Sequence, residues 1–266
     1  MARRNWRLGF YLHALGMLPC LPLLYFQGKA LYKRIPRLPD ASAPKGEVSA
    51  SKDIPALRLL ILGESTMAGL GVARHEDGFA GHFARQMSDW LKRPVKWKVN
   101  AVSGFTAKQV TAQILPKLKK EPVDLIVVGL GGNDTFELNR PHLWQQDVRE
   151  FIQTIREDYP KQLIVFLNLP PVASFPAFTP LMRWALGNWV RYLAAAIEET
   201  VAGYPNVYFS SEEVSLEYME RRLGITEHRG DFFSDGVHPS GYTYELWAAD
   251  FCKFLQEQQL GKAFKV

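Results

Sequence analysis

The stretch "LRLLILGESTMAGLGV", Leu57 to Val72, decides how this chain is read. An apolar run stops abruptly at Gly63-Glu64-Ser65, and Gly69 and Gly71 follow. A short apolar run bounded by turn residues reads as a buried strand. The polar turn behind it has three local readings: a phosphate cradle, the perch of a serine nucleophile, or a tight turn. The stretch alone leaves all three open.

Working outward, the pattern repeats. "FAGHFARQMSDWL" puts Phe79, Phe83, Met87 and Trp90 on one helical face, and "VKWKVNAV" alternates as an edge or half-covered strand. Thr106 and Gln109 form the pattern of a capping box, and Pro116 should shorten the helix it opens. "VDLIVVGLGGND" is a continuous run of the kind buried on both faces. A helix over 141–159, the strand "QLIVFLNL", a long helix over 181–203 with Trp184 and Trp189 inward, and the short strand "NVYFS" follow. A last helix opens after Ser240. This alternation predicts an α/β domain with a parallel sheet of about five strands covered by helices on both faces. Such sheets bind ligands beyond the carboxyl ends of their strands.

The polar residues collect at those ends. They are Gly63-Glu64-Ser65, then Asn100 to Gly104, then Gly131-Gly132-Asn133-Asp134, and Asp235-Gly-Val-His238 before the last helix. These residue types suit acyl transfer. A serine hydroxyl needs an adjacent base, which His238 can be, and Asp235 can fix the imidazole tautomer. Oxyanion donors are available from the Ser65 N–H at an expected helix start, from the N–H of a loop glycine such as Gly104, and from the Asn133 amide.

A phosphate or nucleotide site fits less well. No Gly-Lys-Ser/Thr is present, Gly69-Leu-Gly71 comes too late for a strand-end turn, and Asp235 and His238 go unused. The Gly-x-Ser-x-Gly elbow also fails, because Met67 stands where its last glycine belongs.

At these positions the chain resembles the SGNH/GDSL-type esterases and lipases. The resemblance covers about residues 57–255 and rests on Gly63-Glu64-Ser65 with Gly69, on Asn100 with Gly104, on Gly131-Gly132-Asn133-Asp134, and on Asp235 with His238. It implies a flavodoxin-like three-layer α/β/α sandwich and a catalytic Ser65, His238 and Asp235. It also implies an oxyanion hole of Ser65, Gly104 and Asn133, with neither metal nor organic cofactor. Glu64 departs from the family's usual Asp, which puts the local turn geometry in question. Asp134 is expected to support the Asn133 turn, without a catalytic part.

The expected activity is hydrolysis of carboxylic esters, of a lipid-like or other acyl substrate, with Phe105, Phe136 and Phe233 lining the acyl slot and the 170–180 loop covering part of it. Two alternatives stand beside it: a carbohydrate O-acetylesterase, and a catalytically silent membrane-tethered binding module of the same fold.

Three segments are expected: a membrane anchor or uncleaved signal-like segment at 1–35, a linker at 36–55, and the hydrolase domain at 56–260. Leu8 to Phe26 carries no Asp, Glu, Lys or Arg and has about the length needed to cross a bilayer, although Pro19 and Pro22 weaken a straight helix. A segment lying in the interface is the other reading. Basic residues flank both ends, so the side of the membrane stays undetermined.

The net charge of +5 sits in this tail. Residues 1–37 hold seven basic residues and no acidic ones, and removing those seven leaves 25 basic against 27 acidic. Nucleic acid is therefore not an expected partner. Two cysteines, Cys20 and Cys252, permit no disulfide framework, and His13, His75, His82, His142 and His228 show no metal spacing.

Overall fold

A computed structural model describes residues 6–50, 54–214, 216–224 and 232–264. His228, named above, lies outside these. The sheet strands are β1 (Lys45–Val48), β2 (Leu57–Gly63), β3 (Val95–Ala101), β4 (Leu125–Gly129), β5 (Leu163–Phe166) and β6 (Val207–Phe209), in the spatial order β1-β3-β2-β4-β5-β6. Pairing is parallel throughout, except that β1 runs antiparallel to β3 at the edge.

Side chains of the central strands alternate between two cores. Leu60, Leu62, Ile126, Val128, Ile164 and Phe166 face α4 (Ala107–Gln113), α6 (Pro141–Asp158) and α7 (Pro180–Val201). Leu59, Ile61, Leu125, Val127 and Val165 face α3 (Phe79–Leu91) and α9 (Gly241–Glu257). Burial on both faces explains why these strands read as continuous apolar runs. The result is the expected three-layer sandwich.

Local signals set the element ends. Thr106 and Gln109 form the capping box of α4, and Pro116 follows its end in a short 3-10 turn, Leu115–Lys117. Ser240 caps α9 by accepting from the Thr243 N–H.

Four features depart from the sequence pattern. No hydrophobic period marks 36–55, yet Lys45–Val48 pairs with β3; a four-residue edge strand with no buried residue leaves no apolar alternation to read. Two short helices, α5 (Gly132–Phe136) and α8 (Leu216–Leu223), lie outside the expected elements. Ser65 does not open a helix. Residues 64–71 form turns, with a single helical bond from the Ala68 N–H to Glu64 O (2.8 Å), and α3 begins only at Phe79. Finally, Trp184 is 43% exposed rather than inward, its ring edge-on to His13 (4.8 Å).

His13 belongs to the N-terminal segment, which forms α1 (Trp6–Met17), a 3-10 turn at Leu18–Cys20 and α2 (Leu21–Arg34). Pro19 and Pro22, which lack the donor that a helix interior needs, stand in the first turns after the break. This segment packs along α7, outside the sandwich: Phe10 is buried against Trp189 and Tyr192, and Arg7 pairs with Glu199 at 2.6 Å.

Candidate active site

The strand register gathers the site. Gly63 at the end of β2 pairs with Ala101 of β3 on one side and Gly129 of β4 on the other. The three chains therefore leave the sheet at one level, carrying Glu64-Ser65, Gly104 and Asn133 off the same edge. Gly63 is required there, since a Cβ would meet the Gly129 carbonyl oxygen at 2.2 Å. Gly104 turns the chain between β3 and α4 with φ +86°, a left-handed conformation suited to glycine.

The fourth segment, Ser234 to Ser240, closes on itself through Ser234 N–H to His238 O (2.9 Å) and Ser240 N–H to Phe232 O (3.1 Å). Within it Asp235 is fully enclosed. One carboxylate oxygen accepts from the Val237 and His238 backbone N–H groups (2.9 and 2.7 Å), and the other holds His238 Nδ1 at 2.8 Å. Burial pushes the Asp235 carboxyl up, but the bonds from His238 outweigh it and hold the group below the ordinary carboxylate range. The His238 ring keeps about 20% of its surface open. With Nδ1 held, Nε2 is the nitrogen left for chemistry.

Ser65 and His238 line one cleft, together with Asn133. Among the described residues no hydrogen bond joins Ser65 Oγ to His238. Phe136, Phe175 and Phe233 form the apolar side of the cleft. Of the three phenylalanines singled out from the sequence, Phe136 and Phe233 are therefore on the cleft. Phe105 is not; it packs against the core beneath, and its carbonyl accepts from Asn133 Nδ2. Gly104 stands outside the cleft lining, next in the chain to that carbonyl. Phe175 comes from the loop over 170–180. Asn168 and Trp247, joined at 2.7 Å, complete the cleft floor. Trp247 reads as core from helical spacing, and only the polar Asn168 just past β5 signals a strand-end position.

Glu64 is the unforeseen centre of the polar side. Its carboxyl is buried and accepts from the Gly132 N–H (2.6 Å), the Asn133 N–H (2.9 Å) and Asn133 Nδ2 (2.6 Å). Burial pushes it up to about 8; the neighbouring Asp134 adds to that, and the three donors oppose it. Asp134, fully buried, accepts from the Ala107 N–H at the start of α4 (3.0 Å) and from Asn139 Nδ2 (2.9 Å), tying α4 to α5. Burial raises it to about 6.

A sequence profile of the GDSL-like lipase/acylhydrolase family matches residues 61–246, which includes every strand-end segment just described. The chain belongs to this family. It is a carboxylic ester hydrolase. Esterase TesA of Pseudomonas aeruginosa is 29% identical over 195 residues, which are 73% of this chain and 85% of that esterase. Two solved structures share the fold of this family member. A Clostridium thermocellum family 3 carbohydrate esterase has a TM-score of 0.57 at 17% identity, over 79% of this chain and all of that one. The lipase Lip_vut3 from a goat rumen metagenome has a TM-score of 0.52 at 21% identity, over 74% and 96%.

Proposed function

We propose that the chain hydrolyses acyl esters through Ser65, His238 and Asp235, and that its substrate is lipid-like. The observation that carries this reading is the Asp235–His238 pair, held at 2.8 Å and facing the same cleft as Ser65. Ser65 Oγ attacks the acyl carbonyl while His238 Nε2 takes its proton. Asp235 holds the ring in the tautomer that leaves Nε2 free and stabilises the imidazolium. The tetrahedral intermediate then expels the alcohol, which takes the proton back from His238. Water attacks the acyl-enzyme by the same route in reverse.

The oxyanion meets the backbone N–H of Ser65, and the N–H of Gly104 is the second donor although that residue stands outside the cleft lining; neither is bonded to another protein group among the described residues. Asn133 Nδ2 is already engaged with Glu64 and, at 3.1 Å, with the Phe105 carbonyl. It joins the hole by exchanging the longer of these bonds for the substrate oxygen.

The cleft's Phe136, Phe175 and Phe233 support an apolar acyl group over a sugar acetate. The N-terminal helices, which together form the one stretch among the described residues long and apolar enough to cross a membrane, keep the domain at a membrane. A chain-length series of p-nitrophenyl esters tests the substrate class: kcat/KM should rise from acetate to medium chains. Activity confined to acetylated sugars contradicts the acyl slot and favours the carbohydrate O-acetylesterase.

A further inference from the structure

The N-terminal helices have two unlike sides. One is packed on the domain. Phe10 and Met17 are 5% and 3% exposed, Gly9 lies against the Tyr192 ring, His13 bonds the Ala185 carbonyl (3.0 Å), and Arg7 and Trp6 both bond Glu199. The other side is bare: Leu8, Tyr11, Leu12, Leu15, Leu23 and Phe26 are each 54–66% exposed. Between Trp6 and Arg34 there is no acidic residue, and Lys29 and Lys33 are exposed. Large apolar side chains with lysines and tyrosines, and no acid, match the headgroup boundary of an anionic bilayer better than they match a protein surface.

A second set of contacts joins this segment to the catalytic loop. Gln27 accepts from Thr179 Oγ1 (2.7 Å), and Arg34 donates to the Ala177 carbonyl (2.9 Å). The Ala177 N–H in turn donates to the carbonyl of Gly236 (3.1 Å), which lies between Asp235 and His238. Phe178, between those anchor points, packs on Phe136 at the cleft. A helix that crossed the bilayer would have to leave α7, or carry its Arg191 and the Arg7–Glu199 pair into hydrocarbon.

We infer that residues 6–34 lie lengthwise in the interface of an anionic lipid membrane, docked along α7, and so set that lipid surface beside the ester cleft. This deepens the acyl-ester reading and rests on it. The bare side enters the headgroup boundary, and α2 braces the loop that carries Ala177 against the His238 turn. Ester substrate then reaches Ser65 from the lipid side without leaving the interface.

Full-length protein with Cys20→Ser and a single environment-sensitive fluorophore at Leu12→Cys, Leu15→Cys, Leu23→Cys or Phe26→Cys tests this on phosphatidylcholine–phosphatidylglycerol vesicles. The quenchers are lipids labelled at shallow or deep positions of the acyl chain. Shallow quenching stronger than deep at all four sites is the expected result. Deep quenching strongest at Leu15 and Leu23 means a crossing helix and overturns the inference. Absence of quenching also overturns it, with light scattering then showing whether a second copy covers the face. Turnover of p-nitrophenyl butyrate by the same labelled proteins is read separately in solution. Normal turnover with deep quenching sinks the interfacial helix alone; shallow quenching with no turnover sinks the esterase reading alone.

Discussion

The strand-end cleft and the N-terminal helix pair are opposites. Around the cleft, three carboxyl groups are withdrawn from water and each is held: Asp235 by two backbone donors and His238, Glu64 by three N–H groups, Asp134 by Ala107 and Asn139. On the helix pair, apolar groups are left out in the open. The domain follows the rule that apolar surface is buried and buried polar groups are satisfied, with Asn100 Nδ2 the one buried side-chain polar atom among the described residues that has no partner. The helix pair breaks its first half on one side only. Where an isolated exposed leucine means nothing, a row of exposed apolar side chains beside a basic flank is the feature on which the interfacial proposal rests.

The largest effect should come from the nucleophile. Ser65→Ala is expected to lower kcat on the order of 10⁴–10⁶-fold with the fold intact by circular dichroism. Asp235→Asn should lower it on the order of 10⁴-fold, because the amide donates where His238 Nδ1–H needs an acceptor. Retention of wild-type turnover in either variant would break the contrast at its polar end. Glu64→Ala strips the acceptor from three donors at once. It should lower stability by about 3 kcal/mol in urea unfolding and kcat by ~10²–10³-fold through the loosened Asn133.

Glu64 also makes a pH prediction. Its folded pKa, about 8, lies above the ordinary value of 4.5, so the folded state holds the proton longer than the unfolded chain. Stability contributed by this group is therefore present at low pH and lost as pH rises toward 8. Relative to wild type, Glu64→Gln should gain in Tm between pH 5 and pH 8; an unchanged difference refutes the raised pKa. The smallest effect is expected at the cleft's apolar side. Phe136→Ala should reduce kcat/KM for medium-chain esters ~10-fold while sparing acetate.

Much of the sandwich could be read from residues because its signals are local. Burial on both faces writes continuous apolar runs into β2, β4 and β5, and the capping box at Thr106 and Gln109 marks the start of α4. The gathering of the candidate site was legible in part, because parallel strands carry the segments with Ser65, Gly104 and Asn133 off one edge. What escaped depends on partners that sequence spacing does not contain. The edge strand β1 has no buried side chain, and Trp184 faces α1 instead of the core. Phe105 follows Gly104 at a strand end, yet its ring turns to the core while its carbonyl accepts from Asn133 Nδ2. Glu64 appeared only as a departure from the usual Asp. Its reach to α5 is a property of the folded register between β2 and β4.

Fluorophosphonate labelling followed by peptide mass spectrometry tests the central claim most directly. The account predicts a single adduct on Ser65 in the wild type, none in Ser65→Ala, and slowed labelling in His238→Ala. An adduct on another serine, or wild-type labelling of Ser65→Ala, would contradict it.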